Sequence, residues 1–229
     1  DAFVLSVAEV LGGWTALSLF LAHVDIGFRF DAYYADMRTG GYVSYPLDSR
    51  GRYAVVEMAH HWGMPSLGAC FGTDSLTAGT WQSAAETALD SFLVGLTGAE
   101  IVTGMGLART YTLLNPEQLV MDSALYHRAR YYLQAVEVSP ETLALDVIAS
   151  VKPGGHFLLE KHTIKHMRQS MLRAITHHLD DTGRYRDPQQ VAREQVRWIL
   201  DNHHPAPLEG AKQAELARIL AAAQQELRE

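Results

Sequence analysis

The sequence has one cysteine and few basic residues. Cys70 cannot form a disulfide within the chain, which favours a reducing compartment such as the cytoplasm. The 19 lysines and arginines are outnumbered by 26 aspartates and glutamates, for a formal net charge of −7. Because the basic residues are scattered rather than clustered, the composition argues against a nucleic-acid partner.

Signals for membranes and nucleotides are also lacking. We find no uninterrupted apolar run of the roughly 18 residues that a membrane span needs. The apolar opening, residues 1–25, has no basic start and contains Glu9, which argues against a signal peptide. The stretch Gly104-Met105-Gly106 is too short for a dinucleotide fingerprint, and no other phosphate-binding glycine loop occurs.

The segment from residue 61 to residue 106 predicts a strand, a helix and a second strand. Met64–Phe71 and Ala99–Met105 are short apolar runs, and Trp81–Leu96 between them has the length of a helix. Two buried strands joined by a helical crossover pair in parallel. In parallel α/β folds ligands bind beyond the carboxyl ends of the strands, so the loop Gly72–Gly79 and the loop 104–106 are expected to lie together at one site.

The rest of the chain predicts more helix than strand. Ile26–Phe30 reads as a strand, and His156–Leu159 as a possible fourth strand. Predicted helices elsewhere are Ala2–His23, Arg52–Trp62, Pro116–Ala135, the stretch that Ser139 caps, His162–His178, Gln189–Asn202 and Pro207–Leu227.

Four motifs occur in one order and carry a resemblance. They are DMRTG (Asp36–Gly40), GTDS (Gly72–Ser75) before a helix with Gln82 and Glu86, EQLVMD (Glu117–Asp122) and PGGHFLLEKHT (Pro153–Thr163). Together they resemble the trimethylamine methyltransferase (MttB) superfamily of corrinoid-dependent methyltransferases. The resemblance extends to the closing helices but covers only the second half of the family's pattern.

The resemblance implies an α/β fold, half of a (β/α)8 TIM barrel with a helical carboxyl-terminal extension. We expect residues 1–160 to form the carboxyl-terminal half of the barrel and residues 161–229 the extension. The predicted strands are too few for a closed barrel of eight. A half-barrel leaves strand edges unpaired, which predicts association with an amino-terminal half or with a second copy.

The resemblance further implies methyl transfer from a quaternary or tertiary amine to a corrinoid (cobalamin) that a partner protein carries. The founding trimethylamine enzymes carry pyrrolysine near the position of Phe71 to Thr73, where this chain has ordinary residues. It is therefore similar to the non-pyrrolysine branch, whose substrates are quaternary amines such as glycine betaine. The alternatives are a non-catalytic or assembly-dependent half-barrel and a metal-dependent barrel enzyme.

Aromatic side chains are candidates for binding the amine. A quaternary ammonium donates no hydrogen bond, so a site recognises it through ring faces and a carboxylate. Tyr33, Tyr34 and Tyr45 in the loop after the first strand, together with Phe71, are the expected rings. The alternative is that these rings only pack the loop against the rim of the barrel.

Charged and amide side chains near the same loops complete the predicted binding site. Asp36 and Arg38 follow a strand end, where Arg38 would hold a substrate carboxylate; alternatively they form a local ion pair. Asp74 is the leading functional carboxylate, with helix capping as its alternative. Gln82 and Glu86 share one helix face, either at the edge of the site or in solvent.

Histidines give the last candidates. His156 follows two glycines, so a ligand can approach the backbone there, and we assign it to the site with Asp74 and Glu86 as catalytic. His162 and His166 are four residues apart, with Glu160 and His156 nearby, which is compatible with zinc. A solvated helix face explains such a pair more often than a metal does, the HExxH order is absent, and the sequence alone predicts no metal.

Overall fold

The computed structural model describes residues 2–21, 26–29, 34–43, 47–170 and 174–226. The fold is mixed α/β and mostly helical. Its helices are α1 (Ala2–Phe20), α2 (Leu47–His61), α3 (Trp81–Thr97), α4 (Pro116–Tyr132), α5 (Pro140–Leu143), α6 (Leu145–Ser150), α7 (Lys161–Ser170), α8 (Pro188–Asn202) and α9 (Gly210–Glu226). The strands are β1 (Tyr34–Ala35), β2 (Tyr42–Val43), β3 (Ala69–Cys70), β4 (Val102–Thr103), β5 (Leu107–Ala108) and β6 (Leu113–Leu114).

Local capping explains where the central helices begin. The Thr80 side chain accepts a hydrogen bond from the amide of Ser83 and so starts α3. Asn115 accepts from two amides of the first turn of α4, and Pro116 occupies the first helical position. Ser139 and Thr142 form a reciprocal capping box at α5. These starts confirm the helix positions that the sequence predicts.

Three segments run parallel and form the sheet that positions the loops. Ala69 pairs with Val102 and Cys70 with Thr103 in parallel register. A parallel bridge joins Phe28 to Ser66, which extends the pairing to a third segment. Helix α3 is the crossover between β3 and β4, so the predicted strand–helix–strand unit is confirmed. The regular pairing covers only part of each predicted strand.

Two hairpins and one turn differ from the predictions. β1 pairs with β2, and β5 with β6, both antiparallel, whereas the sequence patterns indicated no hairpin. The predicted strand at His156–Leu159 is wrong, because these residues form a turn before α7. The predicted helix His162–His178 is shorter than expected: α7 ends at Ser170, and a separate 3₁₀ turn spans Ile175–His177.

The main hydrophobic cluster lies where α1 and α2 meet the first parallel segment. Phe28, Val55, Ala59 and Met64 are buried there. Phe28 meets Trp62 edge to face, with ring centroids 5.2 Å apart. Phe3, Val7 and Val10 pack α1 against this cluster.

The opposite side of α1 is exposed and apolar. Leu19 and Phe20 are 78% and 84% exposed. The stretch Phe3–Phe20, with a mean hydropathy of 1.6, is long and apolar enough to cross a membrane, so the expectation that no stretch meets this test is corrected. Length and composition alone are weak support for a span, because signal sequences and core helices share both.

The chain divides into two compact units, Asp1–Glu194 and Gln195–Glu229. All of the loops and clusters described below belong to the first unit. The second unit contains the end of α8 and α9. The division predicted at residue 160 follows the family's pattern instead and stays a prediction.

Candidate functional site

The loop after β3 is organised around one buried carboxylate, Glu86. The Thr73 hydroxyl donates to Glu86 Oε2 at 2.5 Å, and the amide of Asp74 donates to the same oxygen at 2.9 Å. The Gln82 side-chain amide donates to Oε1 at 3.0 Å. Glu86 is 6% exposed and lies one turn after Gln82 on α3. The carboxylate of Glu86 therefore holds the loop in place.

The loop also stabilises its own turn. The Ser75 amide donates to Thr73 Oγ1 at 3.0 Å, and the Ser75 hydroxyl bonds to the Thr77 carbonyl at 3.0 Å and to Thr80 Oγ1 at 2.9 Å. Thr73 and Ser75 are buried, whereas Asp74 between them is half-buried. Asp74 is the one acidic residue of this loop, and it is not fully buried.

A strained segment lies over the loop. Arg109, Thr110 and Tyr111 have φ angles of 47°, 49° and 66°, in the left-handed region that non-glycine residues seldom adopt. The Thr110 hydroxyl donates to Asp74 Oδ1 at 2.9 Å. The amides of Thr110 and Arg109 donate to the carbonyls of Thr73 and Ser75. These contacts orient Asp74 and explain why the strain persists.

A buried ion pair anchors this strained segment. The Tyr111 hydroxyl accepts a hydrogen bond from Arg52 Nη2 at 2.6 Å, and Arg52 Nη1 pairs with Asp90 at 3.1 Å. Arg52 and Asp90 come from α2 and α3 and are nearly inaccessible to solvent. The ring of Tyr111 lies directly against Gly72, where a Cβ would come within 2.4 Å of Tyr111 Cε1. Gly72 is thus required by the close approach of the ring.

A second buried carboxylate, that of Asp122, helps to join the loop after β3 to the loop after β4. Asp122 accepts from the Gly106 amide at 2.8 Å and from the Gln118 side-chain amide at 2.7 Å. Gln118 Oε1 in turn accepts from the Gly79 amide at 3.3 Å. Burial raises the pKa of Asp122 to about 6, against the lowering effect of these hydrogen bonds. The two loops therefore lie together, as the parallel fold predicts.

Sequence reasoning missed the parts played by Asp122, Gln118 and the segment 109–111. Asp122 and Gln118 belong to the EQLVMD motif, and their i, i+4 spacing on α4 was a signal that could have found them. Residues 109–111 carry no comparable signal in the sequence.

The structure brings only some of the predicted site residues together. Asp74, Glu86 and Gln82 form one cluster, and Phe71, which directly precedes the same loop, is 1% exposed. Tyr33 and Tyr45 lie outside the described residues, and of Tyr34 only the backbone, in β1, is described.

The two charged residues of the DMRTG motif, Asp36 and Arg38, bind each other. Arg38 Nε and Nη2 donate to the two carboxylate oxygens of Asp36 at 3.1 and 3.0 Å. The Arg38 guanidinium and amide lower the pKa of Asp36. The side chain of Arg38 is 88% exposed, so the two residues form a local ion pair at the surface, the alternative to a substrate-binding role.

His156 is exposed on the turn before α7, and within the described ranges it forms no hydrogen bond with the Asp74 cluster. The zinc candidates are also separated. His162 and His166 approach Glu141 of α5, and neither His156 nor Glu160 belongs to that group.

Comparisons with known proteins identify the family. The family model of trimethylamine methyltransferase (MTTB) matches residues 1–228. Trimethylamine methyltransferase MttB of Desulfitobacterium hafniense (strain DSM 10664 / DCB-2) is 32% identical over 158 residues, 67% of this chain and 32% of that protein. The glycine betaine methyltransferase of D. hafniense (strain Y51) is 27% identical over 226 residues, 95% of this chain and 46% of that protein.

A further relative is trimethylamine methyltransferase MttB of Methanosarcina barkeri, 28% identical over 208 residues, which are 88% of this chain and 42% of that protein. The chain therefore belongs to the trimethylamine methyltransferase family, and the resemblance seen in the motifs is confirmed. It spans between about a third and just under half the length of these relatives.

Proposed function

We propose that this member of the trimethylamine methyltransferase family acts in moving a methyl group from a quaternary or tertiary amine to a corrinoid protein. The proposal includes a half (β/α)8 barrel, completed by an amino-terminal half or a second copy, and a cytoplasmic location. Family membership over residues 1–228 is the observation that carries it. The three parallel segments, with a half-buried carboxylate on the loop after one of them, support the location of the site.

Asp74 is the proposed electrostatic partner of the amine. Asp74 is half-buried; Glu86 accepts a hydrogen bond from its amide, and Thr110 donates one to its carboxylate. A cationic methyl donor is stabilised by a carboxylate that is already oriented when the substrate arrives, because no reorganisation is then needed. Glu86 accepts three hydrogen bonds from the loop and its own helix, so we assign it to positioning Asp74 rather than to contacting the substrate.

Reduced corrinoid cobalt, carried by a partner protein, would supply the nucleophile for the methyl carbon. The carboxylate of the loop fits a cationic methyl donor. Loss of a methyl group from a quaternary amine, or from the protonated form of a tertiary amine, leaves a neutral amine and needs no general acid. The residues of this chain then bind and orient the donor. Roles for Tyr33, Tyr34, Tyr45, Phe71 and His156 at the substrate stay predictions, as does a carboxylate-binding role for Arg38, which must first leave Asp36.

Methyl transfer to free reduced cobalamin tests the proposal. The chain, alone and mixed with an amino-terminal barrel half, is incubated with glycine betaine or trimethylamine while the cobalt absorption spectrum is recorded. We expect amine-dependent formation of methylcobalamin, reduced roughly a hundredfold in Asp74→Ala, which removes the charge, and by a smaller factor in Glu86→Gln.

Asp146→Ala is the matched control, since Asp146 is an exposed carboxylate in the first turn of α6. Its activity should equal that of the unchanged chain. Full activity of Asp74→Ala would exclude the role of that residue. Failure of every methylated amine in the completed assembly would refute the proposal as a whole.

A non-catalytic, assembly-dependent role is the second candidate, and the exposed apolar side of α1 favours it. Val4 and Leu5, like Leu19 and Phe20, are more than half exposed. Such a surface is typical of a protein–protein or membrane contact. Sedimentation velocity on the purified chain should show a species larger than a monomer; a stable, well-ordered monomer would count against assembly.

A further inference from the structure

We propose that Glu141, His162 and His166 form a binding site for a divalent transition metal of the zinc type, which fastens α5 to α7. The site involves none of the residues assigned to methyl transfer and does not depend on that proposal. It also departs from the expectation, from sequence alone, that the chain binds no metal.

The three side chains converge from two helices. His162 and His166 lie one turn apart on α7, with ring centroids separated by 4.4 Å. Glu141 projects from α5, which its capping box fixes at Ser139. The ligand atoms of the three residues all lie within 4.8 Å of one another. Donors on a tetrahedral zinc are about 3.3 Å apart, given bonds of about 2.0–2.1 Å, so only a small closure is needed.

Both imidazoles already direct Nε2 towards oxygens of the same residue. His166 Nε2 lies 3.0 Å from Glu141 Oε1, and His162 Nε2 lies 2.8 Å from the backbone carbonyl oxygen of Glu141. In the metal-free protein, protons occupy the space between these nitrogens and oxygens. One cation can replace them and bind both imidazoles and the carboxylate, with the carbonyl oxygen or water as a fourth ligand.

The chemistry of this donor set selects the metal. Two imidazoles and one carboxylate suit zinc, nickel or copper, whereas calcium and magnesium prefer an all-oxygen shell. The Glu141 side chain is 54% exposed, and a glutamate in solvent is ionised at neutral pH, as a metal ligand must be.

Lys165 competes with the metal and so provides a discriminating test. Its ammonium lies 2.7 Å from Glu141 Oε1, the oxygen that also faces His166. The Lys165 side chain is 66% exposed, so it can turn into solvent at little cost when a cation binds. Removing this ammonium should therefore strengthen metal binding, whereas loss of a merely stabilising residue would weaken it.

The consequence of binding is a cross-link across about 20 residues of chain. α5 has four residues and cannot persist as an isolated helix. A metal that binds the folded arrangement and not the unfolded chain stabilises the fold by mass action. We accordingly expect a structural role, holding α5 against α7.

Isothermal titration of the chelator-treated full chain with zinc chloride tests the site. We expect one equivalent to bind with micromolar affinity and to raise the melting temperature. His166→Ala and Glu141→Gln should each weaken binding at least about tenfold, and Lys165→Met should tighten it several-fold. Cobalt(II) added in place of zinc should give the intense visible absorption of a tetrahedral complex.

His204→Ala is the control, because His204 is an exposed histidine next to another, His203, outside this cluster. Its affinity for zinc should equal that of the unchanged chain. The proposal fails if Glu141→Gln binds zinc as tightly as the parent, which would leave only the histidine pair. Weaker binding by Lys165→Met would also contradict it, and circular dichroism of each variant shows whether its fold is intact.

Discussion

Replacing Gly72 with alanine should destabilise the loop that presents Asp74, through one steric contact. A Cβ at this position would lie 2.4 Å from Tyr111 Cε1 and 3.2 Å from Tyr111 Cδ1. Carbon atoms in ordinary contact are at least about 3.5 Å apart, so the ring must move by roughly 1 Å. Gly72 itself does not have a positive φ, so the substitution tests the ring contact and not backbone strain.

The size of this loss of stability depends on the contacts that hold the Tyr111 ring. Its hydroxyl is bound to Arg52 at 2.6 Å, and Arg52 is held by the buried Asp90 at 3.1 Å. Moving the ring stretches a hydrogen bond to a charged donor or forces Arg52 away from its partner. Overpacking of this kind costs about 1–3 kcal/mol, and we expect Gly72→Ala to lower the free energy of unfolding by that amount.

Urea unfolding followed by far-ultraviolet circular dichroism measures the loss, in two backgrounds. In the chain carrying Tyr111→Ala the ring is absent, and adding Gly72→Ala should cost almost nothing. The coupling between the two substitutions then equals nearly the whole penalty of Gly72→Ala.

Gly51→Ala is the matched control, because a Cβ there meets no atom within 4 Å. Gly51 lies inside α2, so alanine should leave stability unchanged or raise it by up to about 1 kcal/mol. An equal cost of Gly72→Ala with and without the Tyr111 ring would refute the proposed contact.

Two carboxylates predict opposite pH effects on stability. The pKa of Asp122 is raised from 3.8 to about 6, so its contribution to the free energy of unfolding is complete below pH 3.8. That contribution declines by about 3 kcal/mol as the pH rises through 6. In Asp122→Asn, the free energy of unfolding measured with urea should vary less over this pH range. The pKa of Glu100 is lowered from 4.5 to about 2 by hydrogen bonds from Ser66, so its contribution is present above pH 4.5 and lost towards pH 2. Glu100→Gln should remove part of the acid-side loss, and an unchanged acid limb would contradict this assignment.

The starts of α4 and α5 could be predicted closely because their signals are local. Asn115 followed by Pro116, and Ser139 followed by Pro140, mark starts that depend on a few neighbouring residues. The strands were predicted too long, since pairing depends on residues far away in the chain. In the apolar run Met64–Phe71, ladder pairing with β4 forms only at Ala69 and Cys70.

The candidate site could be predicted only in part, because some of its contacts join residues that are far apart in the chain. The positions of the loops after β3 and β4 follow from the topology of a parallel sheet, and the sequence therefore located them. The segment 109–111 has an Arg-Thr-Tyr sequence with no turn signal, and its residues, which have positive φ angles, contact Asp74, Gly72 and Arg52. Strain imposed by tertiary contacts has no local signature.

Sequence analysis assigns both Asp74 and Glu86 to catalysis, but the surroundings of the two carboxylates separate their roles. Glu86 is 6% exposed, and its two oxygens accept from Thr73, Asp74 and Gln82. If a substrate cation drew Glu86 away, buried donors would be left without acceptors, at about 1–3 kcal/mol each. A single cation–π or ion contact at a partly wet surface does not offset that loss. Asp74, half-buried and oriented by Thr110, can meet a cation while the loop keeps its hydrogen bonds, so the balance of energies favours Asp74 as the contact and Glu86 as its support.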